Sequence, residues 1–307
     1  FERFCAELVD AICLPEKDIR KDDLTGETFI ESLNKSNLFA ISLDHENRWF
    51  RFHHLFHDLL RNEMKERIDP DRIKQLNLLA SDWFQDHQMI EEAIEFALKG
   101  GDPALAADIL EQRRTNILNQ DDWKLLGKWL SMIPEEHVQN RLPLLLANAW
   151  VAKQSFRLVE MMAYLQRCLE IMGDPPERTL YYGEWCFLTG WMKTYLEGDP
   201  PASLSLLNQA LDLIPEKPMG MLRSELELQT GITGYMAKSD EAVQKFEKRL
   251  SEANMVRGVL WERLIFGKAT ISLLNGSLGE SYHAAKPLNE YCQNIGNPFL
   301  EGWSAWF

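Results

Sequence analysis

The chain has no Cys-x-x-Cys pair, no Gly-x-x-x-x-Gly-Lys-Ser/Thr loop, no His-Glu-x-x-His and no apolar run near the ~20 residues that cross a bilayer. Each absence removes a class of function. The cysteines, Cys5, Cys13, Cys168, Cys186 and Cys292, are odd in number and widely spread. They read as buried thiols of a reducing cytoplasm, not as a disulfide frame or a zinc site. Gly267-Lys268-Ala269-Thr270 has Glu262 where a phosphate loop needs its leading glycine, so the chain alone is expected to hydrolyse no nucleotide and to bind no cofactor. No nucleophile elbow occurs, and acidic pairs such as Glu91-Glu92, Asp121-Asp122 and Glu135-Glu136 read as helix starts. Basic charge is scarce as well: 33 Lys and Arg stand against 47 Asp and Glu, a net charge of −14. Such a surface repels phosphate backbones, so neither direct nucleic-acid contact nor a membrane location is expected.

What is present is a chain of 307 residues, 45% hydrophobic and with ten Trp, enough for two domains or one extended solenoid. It begins without Met inside an amphipathic pattern and ends on Trp306-Phe307, which reads as a piece of a longer protein. The expected fold is mainly α, in three parts. Residues 1–66 read as a winged helix. Its opening helix, Phe1 to Leu14, has Phe4, Leu8, Ile12 and Cys5 on one face and Pro15 to end it. A second helix, Thr28 to Ser36, carries Glu27, Glu31 and only Lys35, a charge set suited to packing or signalling and not to a DNA groove. Leu38–Leu43 and Trp49–Phe52 read as strands across the turn Asp44-His45-Glu46-Asn47. From His53 the period becomes helical, with Leu55, Phe56, Leu59, Leu60 and Met64 on one side and Arg61, Glu63, Lys65 and Glu66 opposite.

Residues 67–134 read as a helical arm. Asp69-Pro70 opens one helix, Ile90, Ala93, Ile94, Ala97 and Leu98 form a second apolar face, and Trp123, Leu126 and Leu130 a third. Residues 135–307 read as a superhelical array of helix pairs resembling tetratricopeptide repeats. Gly-Asp-Pro recurs at 101–103, 173–175 and 198–200, each a left-handed stop, a capping carboxylate and a proline. The second helices of the pairs are expected near Phe156, Ala202, Asp240 and Leu278. Small residues such as Ala149, Ala163, Ala210, Ala242, Ala269 and Ala284 are expected at packing positions.

The wording Trp49-Phe50-Arg51-Phe52-His53-His54-Leu55-Phe56 resembles the winged-helix segment of the MalT-like, ATP-dependent regulators that end in a LuxR-type DNA-binding domain. The residues after it resemble the arm and helical-repeat sensor of that family. The resemblance implies the regulatory middle of such a protein. The parent would carry an ATPase domain that binds ADP or ATP against the winged helix, a small-molecule inducer or regulatory protein would bind the repeats, and activation would proceed by self-association. In related ATPases of this class a histidine at the start of the last helix reaches the phosphates of ADP, and His53 stands at the matching position. An imidazole at a helix N-terminus adds a donor where the backbone already favours anions. Its plain alternative is a histidine that caps or packs the helix.

Two further possibilities come from the residues themselves. His53 and His57, four apart with Asp58 adjacent, have a chelating spacing, but His54 stands where a zinc peptidase has glutamate and no third ligand is evident. Trp150, Tyr182, Trp185, Tyr235 and Trp261 could line a ligand groove of the repeats, although aromatics at helical spacing are more often core. A scaffold that clamps partner proteins without any nucleotide switch is the competing reading of the whole chain.

Overall fold

The computed structural model describes residues 3–13, 25–36, 39–255 and 258–295. It is mainly α with one two-stranded sheet among the described residues. The chain separates into two compact units, residues 1–110 with 131–137 and residues 111–130 with 138–307.

The first unit begins with α1 (Ala6–Cys13) and α2 (Gly26–Lys35). Phe4, Cys5, Leu8 and Ile12 are all buried, as the spacing predicts; Pro15 lies outside the described residues. The Thr25 hydroxyl accepts from Thr28 N at 3.2 Å and the Thr28 hydroxyl accepts from Thr25 N at 2.8 Å, a reciprocal cap that starts α2 two residues before the expected Thr28. Helices α1 and α2 approach closely at Gly26, where a Cβ would sit 2.1 Å from the Ala6 carbonyl oxygen, so a side chain there is excluded.

Strands β1 (Ala40–Ser42) and β2 (Phe50–Phe52) pair antiparallel, Ala40 with Phe52, Ile41 with Arg51 and Ser42 with Phe50. Both carboxylate oxygens of Asp44 close the wing, accepting from Arg48 N at 2.8 Å and Trp49 N at 3.1 Å. Phe4 adds an isolated bridge to Phe50, and its ring packs on Phe50 and Phe52. Strand β1 is shorter than the sequence suggests because Phe39 takes φ 49°, outside the strand region; Leu38 lies outside the described residues. Helix α3 (His54–Arg67) follows, then α4 (Pro70–Asp86), whose cap is Asp69 as expected, α5 (Ile90–Lys99) and α6 (Pro103–Asn119). The buried Ser81 hydroxyl of α4 donates to the Ala93 carbonyl of α5 at 2.7 Å.

The apolar stripe expected along α3 is divided. Only Phe56 and Met64 of that set are partly covered, while Leu55 and Leu59 are 68% and 54% exposed. At 3.6 residues per turn these two lie about 120° around the helix from Arg61 and Lys65, with Phe56, Leu60 and Met64 on the arc between Leu59 and Arg61. The helix therefore presents two different faces, and nothing in this unit covers the outer one.

After α7 (Trp123–Met132) and the short α8 (Glu135–Val138), the second unit runs as helix pairs: α9 (Leu142–Gln154) with α10 (Leu158–Met172), α11 (Leu180–Met192) with α12 (Pro200–Leu213), α13 (Gly220–Met236) with α14 (Asp240–Ala253), and α15 (Val259–Leu274) with α16 (Leu278–Ile295). Each first helix packs on its own partner, and α9 also meets α11 and α13 meets α15. Between these two sets the run continues through α12, which packs on α13. The second helices begin at Leu158, Pro200, Asp240 and Leu278, steps of 42, 40 and 38 residues. Two of the pairs are anchored in the same way: the buried Ser203 and Ser281 hydroxyls donate to the carbonyls of Gly190 and Ala269 in the preceding helix, at 2.6 and 2.9 Å.

Gly101, Gly173 and Gly198 all take positive φ, at 79°, 77° and 67°, as the recurring Gly-Asp-Pro implies. Asp102 caps α6 through Leu105 N at 2.8 Å and Asp199 caps α12 through Ala202 N at 3.1 Å. The middle copy differs. Its Asp174-Pro175 bond is cis, and α11 is capped five residues later by Thr179, which accepts from Tyr182 N at 3.3 Å. Among the small residues, Ala149, Ala210 and Ala269 are buried, but Ala163 faces solvent because Met161, Leu165 and Cys168 are the inward positions of α10.

Candidate functional site

Two regions carry the residues that the sequence singles out, one in each unit. In the first, β2 delivers His53 to the N-terminal end of α3. Its own N–H donates to the Phe39 carbonyl at 2.8 Å, and its carbonyl accepts from His57 N at 2.9 Å. The backbone is thus fixed from both sides, with φ −56° and ψ 139°, while the imidazole makes no cap bond to the helix it precedes. The ring is exposed and lies 4.3 Å, centroid to centroid, from that of His54. Because side chains alternate along a strand and cross-strand partners share a face, Arg51 stands on the outer face with Ile41. Phe39, Ile41 and Leu43 of that face are 63%, 40% and 45% exposed. A rigid histidine with an open ring therefore borders an uncovered apolar surface. His57 sits 3.7 Å from its neighbour Asp58, and among the described residues no three His, Cys, Asp or Glu converge as metal ligands would.

In the second unit the five aromatics separate. Trp150 is fully buried, stacked between Trp123 and Phe187 at 5.7 and 4.8 Å, and Trp261 belongs to the core of α13 to α16. Neither offers a ring face to a ligand in this conformation, which corrects the expectation for these two: apolar first helices turn their largest side chains inward. Tyr182 and Trp185 stack on each other at 5.8 Å, and Trp185 Nε1 donates to the Leu165 carbonyl at 3.0 Å. Tyr235 donates its hydroxyl to Asn275 Oδ1 at 3.2 Å. These three remain partly accessible, Tyr182 and Trp185 on α11 and Tyr235 on α13.

What the sequence reading missed is a set of buried charges. Glu184, with no exposed surface, accepts from Arg114 Nη1 at 3.0 Å, from Arg114 Nη2, and from Trp150 Nε1 at 3.0 Å. Lys153 reaches Glu225 at 3.1 Å and lies 5.4 to 5.8 Å from the ring centres of Trp150, Phe187 and Trp191, an aromatic enclosure for its ammonium. Arg263 pairs with Asp121 at 2.6 Å; its Nε is 3.0 Å from Glu225 Oε2, at ion-pair distance but not aligned as a hydrogen bond. Burial works to raise the Glu225 carboxyl, but Lys153 and Arg263 outweigh it and hold the group below the usual carboxylate range. Burial pushes Glu262 the other way, with Arg263 opposing and Asp121 adding to the rise. The signal was in the sequence. Glu184 is the one charge of α11 and Lys153 the one charge of α9, and a helix apolar on every side is buried together with whatever charge it carries.

With this geometry in view, the comparisons with known proteins are specific at the N-terminal end. Residues 1–73 match the family described as MalT winged helix domain. Over these residues the chain resembles the MalT winged helix. It is 24% identical over 310 aligned residues, 94% of the chain, to the HTH-type transcriptional regulator MalT of Vibrio cholerae, and 26% identical over 190 residues to MalT of Cronobacter sakazakii. It is also 33% identical over 149 residues, 48% of the chain, to the serine/threonine-protein kinase PknK of Mycobacterium tuberculosis. The alignments cover 34%, 21% and 13% of these relatives, so the chain spans about a third of their length or less. No solved structure matches it. Among the described residues no helix is long and apolar enough to cross a membrane.

Proposed function

We propose that this chain is the regulatory segment of a MalT-like, ATP-dependent transcriptional activator, in which the helical repeats sense an effector and the winged helix passes the signal to a nucleotide switch. The observation that carries this reading is the exposed His53 at the start of α3 beside the uncovered face of Phe39, Ile41, Leu43, Leu55 and Leu59. An apolar face of this kind on a small domain is suited to a partner domain, and an ATPase domain of the same parent is the partner that gives an open imidazole at a helix N-terminus a ligand, the phosphates of ADP. The segment itself supplies no catalysis. An inducer or regulatory protein on the repeats, with Tyr182, Trp185 and Tyr235 as the accessible aromatics, shifts the balance only by its preference for the form that releases ADP. Self-association then follows in the ATP-bound parent, and the acidic surface leaves DNA contact to another domain.

The test is His53→Ala in the full-length protein. Loss of a hydrogen bond to a charged phosphate, about 1.5–3 kcal/mol, weakens ADP binding roughly tenfold to a hundredfold and raises effector-independent activation. Unchanged ADP affinity with unchanged basal activity removes the role. A second reading, a scaffold for partner proteins without the switch, draws on Phe156, Val159 and Met162, exposed at the turn into α10 and along it. The similarity to a kinase over 48% of the chain supports a segment usable with more than one output.

A further inference from the structure

Inside the first unit, between α1, α2, α3, α4 and α5, is a cavity of about 630 Å³ that neither the nucleotide switch nor the outer wing face uses. Its walls are apolar: Leu8 and Ile12 from α1, Phe29 from α2, Met64 from α3, Ile73 from α4 and Phe96 from α5. The volume lies within the range that encloses small organic ligands. Its edge is cationic. His57, Arg61 and Lys65 follow at intervals of four along α3, so they form one row over the cavity, and Lys99 stands at the end of α5. Lys99 already pairs with Glu95, but Arg61 and Lys65 have no acidic partner among the described residues. Among the described residues the one carboxylate of the lining, Asp10, is occupied by the Gly26 N–H at 2.7 Å.

On a chain of net charge −14, two unpaired cations at the rim of an apolar well are a local reversal of sign. A predominantly apolar lining, whose Asp10 and Asn77 are already bonded to the Gly26 N–H and the Ile73 carbonyl, selects a hydrocarbon; the cations Arg61 and Lys65 select an anionic head. We propose that this cavity binds a free single-chain acyl carboxylate, with roughly ten carbons of tail among Leu8, Ile12, Met64 and Phe96 and the carboxylate between Arg61 and Lys65. The site is independent of the nucleotide-switch reading, because its lining lies on the inner side of α3 and His53 on none of it.

The probes are octanoate, decanoate, dodecanoate and decanol, each below its aggregation limit, titrated into the 307-residue chain by calorimetry. Decanoate binds at one site and more tightly than decanol. Each added methylene, at about 0.8 kcal/mol, tightens binding about fourfold. The double variant Arg61→Gln with Lys65→Gln, both exposed positions, weakens decanoate about tenfold and leaves decanol unchanged. Met64→Glu, which places a negative charge at the cavity, abolishes decanoate binding, with far-UV circular dichroism reporting that the fold persists. Equal affinity of the parent for decanoate and decanol, no binding at all, decanoate binding unaltered by Met64→Glu, or binding only to anionic phospholipid vesicles each overturns the proposal.

Discussion

Replacing Glu184 by Gln keeps the side-chain shape and removes one charge from the most enclosed ion pair of the second unit. The carboxylate has no exposed surface, and it satisfies both terminal nitrogens of Arg114 and Trp150 Nε1. Arg114 is 2% exposed and its Nε already has no hydrogen-bond partner, so the guanidinium has no route to water once its counter-charge is gone. Stranding one member of a buried pair costs about 3–5 kcal/mol, whereas replacing both by apolar groups of similar volume is often neutral. In a unit of this size each kcal/mol lowers Tm by about 2–4 °C, so Glu184→Gln lowers the transition by roughly 6–20 °C. Arg114→Met with Glu184→Leu should recover most of that loss. The assay is thermal unfolding followed by circular dichroism and by tryptophan fluorescence, the latter because Trp150 lies against the pair. A shift below about 2 °C for Glu184→Gln, or a double variant no more stable than the single one, refutes the view that these charges are locked to one another.

Glu225→Gln should destabilise at pH 7 and make less difference as pH falls. Its folded-state pKa is depressed, so its contribution is present above the ordinary carboxyl value, about 4.3, and is lost as pH drops through the lower folded value. A gap between parent and variant that stays constant from pH 7 to pH 3 would count against this. Of the five cysteines, Cys13 alone is exposed, while burial pushes Cys5 and Cys186 up to about 11 and Cys168 up to about 12, so a thiol reagent at pH 8 should label one site quickly and the others only on unfolding. More than one fast thiol in mass spectrometry contradicts the packing. Gly231→Ala should cost about 1–3 kcal/mol in urea unfolding, because the new Cβ meets the Phe246 ring at 2.2 Å, whereas Gly279→Ala on α16 meets nothing and should stabilise by about 0.5–1 kcal/mol. Equal effects at the two glycines would mean that α13 and α14 are not in the contact described.

Local chemistry made much of this molecule legible in advance. A carboxylate next to proline caps a helix wherever it stands, so Asp69-Pro70, Asp102-Pro103 and Asp199-Pro200 could be read directly, and only the middle Gly-Asp-Pro, where Thr179 caps instead, departs from the rule. The change from aromatic alternation to helical period at Phe52-His53 likewise marked the junction of β2 and α3, because both periods are properties of the backbone itself.

The sequence by itself determined the elements, their caps, the repeat of about 40 residues and the acidic surface, since each depends on neighbours in the chain or on a sum over it. Only the tertiary structure decided which side of an apolar helix is covered. It turned Trp150 and Trp261 into core, left Leu55 and Leu59 of α3 in the open, and drew Arg114 to Glu184 across 70 positions of sequence. Burial and ion pairing are set by which helices happen to face one another, and no local period records that.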